Sequence, residues 1–135
     1  MSVKYDRVGT FYAADIATIG DDATDDTDSD SLDVRNAEAV AVQGYCTCAS
    51  ACVATTVIKF VAKINGAWDD DGNPFVTMEI TQTASTTVRK TLLIDVLGID
   101  EIKISSIENT EDDNTNGDIT AVNCSYNYVG SRDIW

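Results

Sequence analysis

Apolar and polar residues alternate with a period of two through most of the chain, as in strands whose successive side chains leave opposite faces of a sheet. In Ile58-Lys59-Phe60-Val61-Ala62-Lys63-Ile64 the even positions are apolar, and Lys59 and Lys63 share the other face. Ile58, Phe60 and Ile64 are therefore expected in a core. The Asn65-Gly66 that follows favours a tight hairpin turn, while Trp68 and the run Asp69-Asp70-Asp71-Gly72-Asn73-Pro74 point to a longer connection. A strand from Phe75 then turns Val76, Met78 and Ile80 inward, and the run Thr87 to Val96 does the same with Leu92, Ile94 and Val96. After Gly98, Glu101-Ile102-Lys103-Ile104-Ser105 alternates again. A last long strand, Ile119 to Val129, places Val122, Cys124, Tyr126 and Tyr128 on one side, and upstream Val40, Val42, Cys46 and Cys48 also share a side. These runs, rich in β-branched residues and broken by turn signals, predict about seven strands and no helix of useful length. The expected fold is all-β, a single antiparallel β-sandwich of jelly-roll or immunoglobulin-like type.

The first 36 residues break this pattern. Between Gly20 and Val34 the chain carries Asp21, Asp22, Asp25, Asp26, Asp28, Asp30 and Asp33 and no basic residue. Self-repulsion predicts an extended acidic N-terminal arm over residues 1–36, ahead of a sandwich domain over 37–135. Such an arm is either a solvated loop or a segment that orders against a partner. Val8, Phe11, Tyr12, Ile16 and Ile19 precede the acidic run and make docking on a neighbour physically reasonable.

Length and charge narrow the function. A chain of 135 residues is the size of one domain, and no apolar run approaches the ~20 residues that span a bilayer, so no membrane role is expected. The N-terminus lacks the apolar core of a secretory signal, which points to synthesis in a cytoplasm. Nine basic against twenty-three acidic residues give a net charge of -14, the wrong sign for neutralising phosphates, so no nucleic-acid partner is expected. The chain has no histidine, which removes the common proton shuttle and with it Ser-His-Asp and Cys-His catalysis. Paired carboxylates such as Glu79 and Asp95 carry little weight among so many acids. The expectation is a protein without enzymatic activity.

Four residue groups remain as candidate chemistry. Cys46, Cys48 and Cys52 form a C-x-C-x3-C cluster, with Cys124 far along the chain. The leading reading is reduced thiols packed as small hydrophobes, followed by a disulfide within the cluster or to Cys124, and then a zinc site, whose usual paired C-x2-C spacing is absent. Asp112, Asn114, Asn116 and Asp118, with Gly117, follow the opening of a calcium loop, but the twelfth position is Asn123 instead of a bidentate Glu. A polar turn is the plainer reading, with calcium as the alternative; otherwise no cofactor is expected. Trp68 and Trp135, with Tyr45, Tyr126 and Tyr128, offer either a sugar platform or ordinary core packing. The end of the sequence, Arg132-Asp133-Ile134-Trp135, reads as a tail tucked onto its own or another subunit.

From Ile58 to Asn109 an apolar strand runs into Asn65-Gly66-Ala67-Trp68, and after Gly98 the strand Ile102-Lys103-Ile104 sets a basic residue between apolar ones. This order resembles the small β-sandwich structural proteins of tailed bacteriophages, including capsid decoration (cement) proteins. The resemblance implies a protein on the outer surface of the virion that binds the major capsid protein, bridges its subunits and acts as a homo-oligomer on the shell. On that reading the contacts fall to Tyr5, Arg7, Phe11, Tyr12 and Ile16 of the arm and to Ile134 and Trp135. The alternative is a carbohydrate-binding or host-recognition module of a phage tail or cell surface.

Overall fold

The computed structural model describes residues 3, 4, 7–111 and 116–130, and these form eleven strands and no helix. Six strands are long: β5 (Ala39–Cys48), β6 (Thr55–Ile64), β8 (Val76–Thr81), β9 (Thr87–Asp95), β10 (Glu101–Asn109) and β11 (Ile119–Val129). They match the alternating runs of the sequence. The other five, β1 (Val3–Lys4), β2 (Val8–Thr10), β3 (Thr24–Asp25), β4 (Ser31–Asp33) and β7 (Ala67–Trp68), hold two or three residues each. These raise the count above the expected seven, because runs this short are set by pairing to a neighbour and carry no readable period.

The strands form two sheets in a sandwich-like arrangement. One runs β1-β4-β10-β6-β7, with β3 also on β10 and β8 also on β6; the other is β2-β11-β5-β9. Every pairing is antiparallel except β1 with β4. Val40, Val42, Cys46 and Cys48 of β5 and Val122, Cys124, Tyr126 and Tyr128 of β11 face inward, as the alternation requires, against Ile58, Phe60, Met78, Ile80, Ile102 and Ile104 of the opposite sheet. Gly44 lies in the middle of β5, where a Cβ would come within 2.6 Å of Met78 Sδ and 3.3 Å of Cys124 Sγ. The missing side chain is what lets Met78 cross the gap between sheets.

Ile64 departs from expectation. It is 57% exposed, because it ends β6 at the Asn65-Gly66 turn, beyond the reach of the facing sheet. Asn65 and Gly66 both take positive φ, 50° and 84°, which closes the two-residue hairpin from β6 to β7. β10 departs in the other sense, with Lys103, Ser105 and Ser106 buried as well as its isoleucines. A register shift between Ile104 and Ser106 interrupts the alternation, and the outer side of the strand is covered.

The cover comes from Trp68 of β7 and from the N-terminal segment, whose Asp28 reaches Lys103, and this segment does not stand off as an arm. β2 pairs with β11, and the bridges Ile16–Val122 and Ile19–Ile119 carry the same edge further. The chain then crosses to the other sheet, where β3 and β4 lie along β10. Phe11, Tyr12, Ile19, Leu32 and Val34 join the one core shared with the later strands. Burial of these five side chains outweighs the mutual repulsion of the aspartates, because apolar burial contributes roughly 1.5–3 kcal/mol per large side chain and exposed charges are screened. Some aspartates are also individually engaged. Asp28 meets Lys103 Nζ at 3.0 Å, Asp33 pairs with Arg35, and Asp25 Oδ1 accepts the Thr27 amide at 2.8 Å.

Phe11 is the key of this packing. Its ring, fully buried, makes edge contacts with Phe60 of one sheet, centroids 5.7 Å apart, and Tyr126 of the other at 5.5 Å. Phe11→Ala is expected to lower the unfolding free energy by about 3–5 kcal/mol. Gly44→Ala is expected to cost about 1–3 kcal/mol by overpacking. Urea unfolding of the two variants measures both, and a Phe11→Ala cost under about 0.5 kcal/mol would mean that the segment lies outside the core.

Candidate functional site

The outward face of the four-stranded sheet carries exposed apolar side chains and a shallow depression. On β5 the odd positions, Ala39, Ala41, Gln43, Tyr45 and Thr47, point away from the core. Register sets Asn127 of β11 between Val8 of β2 and Ala41 of β5, and Ala41 beside Leu93 of β9. The row Val8–Asn127–Ala41–Leu93 therefore crosses the whole sheet, with Val8 62% and Leu93 64% exposed at its ends. Val129, also exposed, lies beside Ala39 one step along the strands. The small side chains of Ala41 and Ser125 leave a shallow depression of about 250 Å³, edged by Gln43, Thr91 and Asn127. Large apolar side chains around a floor of small and amide side chains form a surface suited to another polypeptide.

The polar contacts of this face are mutual. Gln43 Nε2 donates to Thr91 Oγ1 at 3.2 Å, and the Thr47 and Thr87 hydroxyls meet at 2.7 Å. The Arg89 guanidinium lies over the Tyr45 ring, 5.7 Å from its centroid, and the Tyr45 hydroxyl donates to Asp15 Oδ1 at 2.6 Å. Burial, then the bond to Asp15, pushes the Tyr45 hydroxyl from 10.0 up to about 12. Next to it the loop 12–15 folds over Asn123, whose amide bonds the Tyr12 backbone in both directions at 3.3 Å.

The thiols lie inside, Cys46, Cys48 and Cys52 towards one end of the sandwich and Cys124 mid-sheet beside Gly44. All four cysteines are free and buried, with Cys46 and Cys48 Sγ atoms 3.7 Å apart and Cys52 Sγ donating to the Asp118 carbonyl at 3.4 Å. Burial pushes the thiols of Cys48, Cys52 and Cys124 upward, and the neighbouring Cys46 adds to the effect on Cys48. A neutral, desolvated thiol is a weak nucleophile. Beside the cluster, Asn109 ties the end of the fold together. Its Nδ2 donates to the carbonyls of Ile19, Gly20 and Gly117, and its Oδ1 accepts from Gln82 Nε2 at 2.9 Å and from the Glu111 amide at 3.1 Å. The buried Glu111 carboxylate in turn accepts the amides of Val53 and Ala54. Among the described residues no three acidic or cysteine side chains converge in a metal-binding arrangement.

No family model and no curated protein matches this chain.

Of the partner-contact residues expected from the sequence, Arg7 is exposed, Ile16 is half-buried against β11, and Phe11 and Tyr12 lie in the core. Tyr5, Ile134 and Trp135 are outside the described residues, as are Asp112 and Asn114 of the calcium pattern. Asn116 and Asp118 use their backbone carbonyls to accept the amides of Ala51 and Ala49, each at 2.9 Å. Among the described residues the candidate aromatic side chains do not gather on one surface. Tyr126 and Tyr128 are core residues, and Trp68 is half-buried on the other sheet with Lys103 Nζ 4.4 Å and Lys63 Nζ 5.7 Å from its ring centroid. Leu93 and Val129 are contact candidates that sequence reasoning passed over. Their signal is an apolar residue at the outward phase of its strand, Leu93 between the inward Leu92 and Ile94, and Val129 after the inward Tyr128.

The raised thiol and tyrosine values fix how stability depends on alkali. Below the ordinary thiol value of 9.0 these groups are neutral in both states, so they impose no pH dependence. Above it the unfolded chain releases thiol protons that the folded chain retains, and stability falls as pH rises. Tyr45 extends the loss through the interval from 10.0 to about 12. The urea midpoint is expected to be level from about pH 7 to 8 and to drop steadily beyond about pH 9. Ellman's reagent at about pH 8 is expected to label the thiols only after unfolding.

Proposed function

We propose that this chain is a non-enzymatic structural protein of a virion, a capsid decoration protein that binds the outside of the shell and bridges major capsid subunits, with a sandwich of jelly-roll or immunoglobulin-like type. The observation that carries the reading is the outward face of the four-stranded sheet, where Val8, Leu93 and Val129 stand exposed around a floor of Ala39, Ala41 and Ser125. Such a face suits burial against another protein. The sequence resemblance of residues 58–109 to phage decoration proteins is what supports the protein class.

The mechanism needs no bond chemistry. Burial of the apolar patch supplies affinity, while a chain with a net charge of -14 favours a partner with basic surface and slows non-specific association with acidic ones. Arg7, exposed and next to Val8 in sequence, remains a contact candidate. Tyr5, Ile134 and Trp135 remain contact candidates on this reading. Phe11 and Tyr12 contribute indirectly by holding β2, and so Val8, against β11.

The test is the composition of particles. When the tagged chain is expressed in the cells that produce it and virions are banded on a density gradient, quantitative mass spectrometry is expected to find it in fixed proportion to the major capsid protein. The double variant Val8→Asp, Leu93→Asp, folded by circular dichroism, is expected to be lost from the particles. Absence of the unaltered chain from the particles, or full retention of the double variant, contradicts the proposal.

A further inference from the structure

We propose that the free edge of β9 is a homodimer interface, at which two copies of this chain pair their β9 strands antiparallel about a two-fold axis and join their four-stranded sheets into one. This inference stands on the edge itself and not on the virion role.

β9 closes the sheet order β2-β11-β5-β9, and among the described residues no strand pairs on its other side. Its ladder with β5 is unbroken over nine pairs, from Ala39–Asp95 to Thr47–Thr87, without bulge or proline. The ladder also fixes which backbone groups are free. The Cys48 amide donates to the Thr86 carbonyl and the Val96 amide to the Glu38 carbonyl, so bonding to β5 belongs to the even positions of β9. Thr87, Arg89, Thr91, Leu93 and Asp95 then turn their N–H and C=O groups to the open side. A long straight row of such groups is a template for another strand.

Edge strands are commonly protected by charges or irregularity, and β9 has little of either in its middle. Thr91, Leu92, Leu93 and Ile94 carry no charge. The Lys90 ammonium is folded back to the opposite sheet, where it donates to the Glu79 carbonyl at 3.0 Å. Leu93 and, just past the strand, Leu97 are 64% and 65% exposed.

The side chains select the partner and the register. With Leu92 opposite the partner's Leu92, Arg89 lies across from the partner's Asp95 and Thr91 across from the partner's Leu93, each pair occurring twice. All four residues sit at odd positions, so these pairs exchange backbone hydrogen bonds and present their side chains on the outward face. The Arg–Asp pairs match opposite charges across an otherwise strongly acidic molecule. A second copy of this chain meets every one of these conditions with the same surface, as a two-fold interface requires.

Sedimentation velocity of the purified full chain across a concentration series tests the pairing without any other component. The chain is expected to pass from monomer to dimer as concentration rises. Thr91→Pro removes an outward amide and leaves the β5 ladder intact, so it is expected to give a folded monomer. Arg89→Asp is expected to weaken the dimer by about tenfold, and Arg89→Asp with Asp95→Arg to restore it. The charge set holds the test if the proline variant fails to fold. Hydrogen exchange adds a local readout, with the amides of Arg89, Thr91 and Leu93 slowing as the dimer forms. A chain that stays monomeric at the highest concentrations, or a dimer indifferent to the charge reversal, overturns the proposal.

Discussion

The aromatic ring of Phe11, seated between Phe60 of one sheet and Tyr126 of the other, is the contact on which the arrangement depends. It fixes a segment carrying many aspartates to a core it would otherwise leave. With Phe11 in place, the Phe11 amide reaches the Cys124 carbonyl at 3.0 Å, the edge of β11 is covered as far as Ile19, and β2 brings Val8 to the outward face. Without it, β11 becomes a second open edge and one end of the apolar row is lost. A single buried ring thus links the core to the surface read as the binding face.

The period of two made the long strands legible. Val42, Cys46, Cys124 and Tyr126 face the core as alternation requires, and Asn65-Gly66 closes a hairpin because that pair accepts positive φ at both positions. What alternation could not reveal was the cover on a strand's far side. Lys103 is buried under Trp68 and beside Asp28, contacts between residues that lie far apart in sequence. Local charge alone does not account for the N-terminal segment. Asp28 and Asp33 find Lys103 and Arg35, and the apolar residues flanking the acidic run enter the core. The candidate face is half legible: Leu93 and Val129 stand out of phase with their inward neighbours, but that three strands and β2 bring Val8, Leu93 and Val129 onto one face depends on sheet order, which composition and period do not encode.

On the two proposals, the same sheet would serve two roles by two geometries. Its face offers exposed side chains over a floor of small residues, and its β9 edge offers backbone groups in a fixed register. Joining two copies at the edge would set two such faces side by side, so a dimer would present the patch twice and bind a repeating surface with greater avidity. The Asn109–Glu111 network stays apart from both, at the end of the sandwich, where it holds the loops 19–20, 53–54 and 117 in place.

The most direct measurement of the central claim is native-state hydrogen exchange at the amides of Phe11, Ile16 and Ile19, which donate to the carbonyls of Cys124, Val122 and Ile119. If the segment is part of the core, these amides exchange with the protection of the β5–β11 ladder and through the same global opening. Exchange at the rate of an unstructured peptide, while β5 and β11 remain protected, would contradict the account.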